Sequence, residues 1–126
     1  MTPAGAFEAE LKAMSSTDLP DGNEEPPDPA SCRVEMILRV GPLGDDSGDD
    51  FTLFFVTPAW LAANTPVEGF RVLKYTIVVP RFEWPVAERA SRGLVGSPQA
   101  RSWEEFLEEF SRSAYWEYSD DMPASW

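Results

Sequence analysis

Residues 33–40 alternate: Val34, Met36, Leu38 and Val40 form an apolar set, and Arg33, Glu35, Ile37 and Arg39 form the other. A period of two places one set on a buried face and predicts a strand. Phe51, Leu53 and Phe55 repeat the pattern, and the turn-rich run GPLGDDSGDD at 41–50 joins the two as a hairpin. Upstream, Phe7, Ala9, Leu11 and Ala13 alternate with Glu8, Glu10 and Lys12, which predicts another strand. The same stretch puts Phe7, Leu11 and Met14 at helical spacing, but the alternation of charge favours the strand. Residues 72–79 (VLKYTIVV) read as a fourth strand with Leu73, Tyr75, Ile77 and Val79 on one side, and 114–118 (AYWEY) as a last one.

The helices announce themselves by their first residues. Thr57 is placed as an N-cap with Pro58 at the first helical position, where a missing N–H costs nothing, and Trp60 and Leu61 anchor the turn. Asn64 and Pro66 end it. Pro85 opens a second helix with Val86, Ala87, Ala90 and Leu94 as its stripe. Ser102 and Glu105 form a capping box before Trp103, Phe106, Leu107 and Phe110, which share one face. Residues 15–31 carry Pro20, Pro26, Pro27 and Pro29 among acids and predict a surface loop. The order β, β, β, short α, β, α, α, β predicts an α+β domain: a largely antiparallel sheet with two or three helices packed on one face. Residues 1–126 are read as one domain, with 119–126 a flexible tail.

Charge changes the picture more than composition does. Residues 18–50 hold 10 acids against 2 bases, and 104–121 hold 7 against 1. The intervening 57–101 reverses this, with 3 acids and 6 bases, inside a chain of net charge −12. Such fields act on partner choice and encounter rate rather than on fold. At a pI near 4.2, nucleic acid and anionic lipid are poor partners and a basic protein is a good one. No run approaches the ~20 apolar residues of a membrane span. A lone cysteine, Cys32, cannot form an internal disulfide, which favours a reducing cytoplasm.

Candidate chemistry is sparse. There is no histidine, so the side chain that titrates near neutrality is missing, and Cys32 has no histidine base. Asp45, Ser47 and Asp49 mimic the first ligand positions of a calcium loop, but Asp50 stands where its glycine belongs and Val56 where its bidentate glutamate belongs. The reading is therefore no catalytic residues, no cofactor and no metal. Glu104, Glu105, Glu108 and Glu109 lie on the polar side of the last helix. With Asp45, Asp46, Asp49 and Asp50 they are the candidate partner-binding residues, an acidic surface suited to a basic protein. The five tryptophans read mainly as core, with Trp126 on the tail a possible exposed anchor.

One ordered set of motifs goes further. The stretch V-G-P-x-G, an acidic turn, F-T-L-F-F-V-T-P-A-W-L, then I-V-V, S-W-E-E-F-L-E-E-F and Y-W-E-Y resembles the eighth family of immunity proteins of bacterial polymorphic-toxin systems, over 40–61, 75–79 and 103–121. The resemblance implies a cytoplasmic protein that binds and neutralises a cognate toxin encoded beside it, and it implies no catalytic residues. A basic nuclease would suit the charge. An acidic decoy that mimics nucleic acid and a small carboxylate hydrolase are the rival readings, and the oligomeric state is left open.

Overall fold

The structure is a computed structural model and describes residues 7–119. The tail from 120 onward, including Trp126, lies outside the described residues. The elements run β1 (Ala9–Ser15), β2 (Arg33–Pro42), β3 (Asp49–Val56), α1 (Pro58–Asn64), β4 (Thr76–Val78), α2 (Trp84–Gly96), α3 (Trp103–Phe110) and β5 (Tyr115–Trp116). They build an α+β fold: a five-stranded, mostly antiparallel sheet with three helices.

The β2–β3 hairpin is the spine, in register from Arg33↔Val56 to Val40↔Asp49. Gly41 permits its turn, since a Cβ there would sit 2.0 Å from the Ser47 carbonyl oxygen. β1 pairs with β2 on one side. The other edge of β3 is shared: β5 pairs antiparallel with Phe51 and Thr52, and β4 pairs parallel with Phe54, Phe55 and Val56. β4 and β5 thus follow one another along a single edge of β3.

Alternation decides the core. Val34, Met36, Leu38, Val40, Phe51, Leu53 and Phe55 are buried on one face with Phe106 and Phe110 of α3 and Ala87 and Val95 of α2. Phe51 meets Phe110 edge to face at 4.8 Å, a favoured aromatic geometry. Two helices cover this face. The third, α1, serves the opposite one: Phe54, whose parity sets it against Leu53 and Phe55, is fully buried there, with Arg33 over its ring at 4.4 Å and over that of Trp60 at 5.9 Å.

Four details depart from the pattern in the sequence. In β1 the pairing slips between Leu11 and Ala13, leaving Lys12 as a bulge. One extra residue flips the parity beyond it, so Met14 packs on the core and Ala13 is exposed. In α2 the stripe lies one position further along, with Ala87, Ser91 and Val95 buried and Val86, Ala90 and Leu94 at its margin. The proline-rich 16–31 segment has no helix or strand, yet Leu19 is buried in the core and the Trp84 indole donates to the Glu24 carbonyl at 2.7 Å. Finally, β4 begins at Thr76 rather than 72, and Leu73 is exposed rather than buried. Tyr75 has φ of 56°, a left-handed conformation that interrupts an extended chain.

Candidate functional site

The acidic residues fall into two groups with different surroundings. Asp49 and Asp50 open β3, half-buried where β5 arrives. Asp49 accepts a hydrogen bond from the Trp116 indole at 3.0 Å. Asp50 exchanges backbone and side-chain hydrogen bonds with Glu117: its N–H donates to the Glu117 carboxylate, and its carbonyl accepts from the Glu117 N–H. Arg39, its cross-strand neighbour, reaches the Asp50 carboxylate at 3.4 Å. That pair is half-exposed and adds little stability. Tyr118 is exposed beside this cluster, its ring edge-on to Trp116 at 5.2 Å. The Glu117 carboxylate, helped by Asp49 and Asp50, pushes the Tyr118 phenol above its ordinary range. Three carboxylates and an aromatic pair therefore share one end of the sheet edge.

Asp45 and Asp46 stay at the exposed tip of the hairpin. The Asp45 carboxylate accepts the Ser47 N–H at 2.9 Å, and this bond chiefly holds it below the usual carboxylate range. A general acid at neutral pH needs the opposite shift. Lys12 also lowers the Glu10 carboxyl, which it meets at 2.9 Å.

Glu104, Glu105, Glu108 and Glu109 are exposed on α3. Ser102 caps the helix by accepting from the Glu105 N–H at 3.2 Å, while the Glu105 carboxylate accepts from Arg101 rather than from Ser102. The box is therefore closed one residue earlier than its motif implies. Two acids in the first turn suit the positive end of the helix dipole. No hydrogen bond or ion pair joins the α3 carboxylates to the hairpin carboxylates among the described residues. The two groups are separate features.

Among the described residues no three His, Cys, Asp or Glu side chains come together as a metal site, and no helix is long and apolar enough to cross a membrane. Cys32 is buried, and burial, with the Asp28 charge, pushes its thiol up. A groove of about 500 Å³ runs between β1 and α2, lined by Leu11, Met14, Trp84, Lys12, Arg89 and Arg92. Its cations are partly matched, Arg92 by Glu88 at 3.0 Å and Lys12 by Glu10.

Two features were missed in the sequence. Glu117 had the signal, an acid flanked by aromatics in Y-W-E-Y, but its pairing with Asp50 depends on β5 meeting β3. The other is residues 65–75, where Val67 is fully exposed, Phe70 65% and Val72 79%. Its second half, from Val72, lies in the stretch read as a strand over 72–79, and its first half follows the Pro66 that ends the helix.

A small α+β fold with charged surface clusters and a scaffolded apolar loop has the physical character of a protein-binding module. The chain belongs to the immunity protein 8 family, whose model matches residues 9–121. Membership implies neutralisation of a cognate toxin, and such families are typically inhibitors rather than enzymes. No curated protein and no solved structure matches the chain.

Proposed function

We propose that the protein neutralises its cognate toxin by stoichiometric binding in the cytoplasm, as a surface-occupying inhibitor. Membership of the immunity protein 8 family over residues 9–121 carries this reading. The physical chemistry supports the binding mode: a net charge of −12 attracts a basic toxin, such as a nuclease, from a distance. Asp45, Asp46, Asp49 and Asp50 of the hairpin and Glu104, Glu105, Glu108 and Glu109 of α3 are the charged contacts in this proposal. Charges at the rim of a contact act on the association rate more than on the final affinity.

The test is co-expression. The toxin domain encoded by the adjoining reading frame is induced in cells with and without this chain. Rescue of growth by this chain, with the two proteins co-purifying, is the expected result. Unprotected cells would refute the reading, and competition with DNA for unrelated basic proteins would favour a decoy instead.

A further inference from the structure

Among the described residues large apolar side chains are mostly buried, and apart from Leu43 and Tyr118 the exposed ones, Val67, Phe70, Val72, Leu73 and Val78, fall within one short stretch. Burying such side chains is worth about 1.5–3 kcal/mol each, so a cluster left in water marks an interface.

The stretch is held in shape. Arg71 lies over the Trp60 ring at 5.3 Å and donates to the Asn64 carbonyl at 2.6 Å. Gly69, at φ 91°, closes a turn by donating to the Pro66 carbonyl at 2.9 Å. Tyr75 is fixed in its left-handed conformation by the Phe54 N–H, which donates to its carbonyl at 2.8 Å, and by the Tyr115 ring at 6.0 Å. A strained residue held by its surroundings, next to exposed apolar groups, is a device for presenting them. Bracing also lowers the ordering cost of binding.

Two further facts choose the occupant. Residues 65–75 carry Arg71 and Lys74 against Glu68, a net of +1 within a chain of −12. The Tyr75–Tyr115 contact joins the end of this segment to β5, so the end of the apolar loop, at Tyr75 and β4, and the Asp49, Asp50 and Glu117 carboxylates lie along the same edge of β3. That edge is polarised, apolar and slightly cationic at one end, acidic and aromatic at the other. A second copy would bring together two molecules that each carry a net charge of −12, and that repulsion opposes self-association. A basic toxin can set cations against the acidic end and an uncharged pocket on Phe70.

We infer that residues 67–78 are the docking surface for the cognate toxin, with Phe70 inserted into an apolar pocket whose border is neutral or acidic. The inference rests on the neutralisation reading above and names its anchor. The hairpin acids steer the encounter and fix its orientation, and the loop supplies the affinity. Phe70→Ala and Val72→Ser are compared with wild type and with Arg89→Ala on α2, using the toxin domain from the adjoining reading frame as the probe in surface plasmon resonance. Thermal unfolding of each variant is measured alongside.

The expected result is affinity lowered about 30-fold by Phe70→Ala, the scale of an interface hot spot, mainly through faster dissociation, with unfolding unchanged and Arg89→Ala neutral. Unchanged affinity in both loop variants would overturn the surface while leaving neutralisation intact. A wild-type chain that leaves the toxin unbound would overturn both. Light scattering on the wild type covers the second-copy occupant: a dimer that Phe70→Ala separates without loss of protection would also overturn it.

Discussion

The Arg71 guanidinium stacks over the Trp60 indole at 5.3 Å while its Nη2 donates to the carbonyl of Asn64, the last residue of α1. One side chain thereby ties the 65–75 segment to the helix before it. A cation over an indole is worth about 0.5–1 kcal/mol at an exposed site. Arg71→Ala is expected to lower global stability by about that amount, and to raise amide exchange at Gly69 and its neighbours far more than elsewhere. Arg71→Lys restores the charge but not the planar stack, so exchange should stay raised. Hydrogen exchange followed by mass spectrometry reads both, and an unaltered loop in Arg71→Ala would show that the stack is incidental.

Thr57 has a second structural role beside capping. Its buried hydroxyl accepts the Trp60 N–H at 3.3 Å and the Cys32 N–H at 3.0 Å, joining the start of β2 to the start of α1. Thr57→Val keeps the shape and leaves both donors without their partner. A cost of about 1–3 kcal/mol is expected from urea denaturation, with Thr57→Ser recovering most of it. A neutral Thr57→Val would mean that water replaces the hydroxyl.

Cys32 offers a pH test. Burial, then the Asp28 charge, raises its thiol, and Sγ donates toward the Pro29 carbonyl at 3.5 Å. A raised thiol favours the neutral form, so its contribution to stability is complete below the unfolded thiol value of about 8.5 and is lost as pH climbs through the folded value. Alkylation at pH 7.5 should be much slower than for an unfolded thiol, and stability should fall as pH is taken above 9, an effect that Cys32→Ala removes. Fast labelling of the native chain would contradict this burial.

Salt should act in opposite directions on folding and on binding. Raising ionic strength from about 0.01 to 0.15 M shortens the screening length from about 30 to 8 Å. Self-repulsion at net charge −12 then relaxes and the melting temperature should rise. Association with the toxin should slow over the same range, with Asp49→Asn and Glu109→Gln lowering the rate further while dissociation changes little. Salt-independent association would remove the electrostatic part of the account.

Much of the fold was legible because its signals are local. The β2–β3 alternation, the Thr57-Pro58 start and the Ser102 cap each follow from neighbouring side chains, and each is found in place. What was not legible depends on distant partners. Lys12 is a bulge only because β1 meets β2 in two registers, and that displaced Ala13 from the core in favour of Met14. Tyr75 has no residue-type reason for a positive φ; Phe54 and Tyr115 impose it, and the strand expected from 72 shortens to three residues. Leu19 enters the core from a segment whose prolines and acids read as surface. For the candidate site, the acids were visible as charge, but the division between a half-buried edge cluster and the exposed α3 row was visible only once β5 had been placed beside β3.

The most direct measurement is a titration of toxin activity. Purified chain is added in known amounts to the toxin domain from the adjoining reading frame, and residual activity is followed to its end point. Binding as the mode of action predicts a linear fall that reaches zero at one chain per toxin, reversed when the two are separated under denaturant and the toxin is refolded. Complete and lasting inactivation by far less than one equivalent, or full activity in the presence of excess chain, would contradict it.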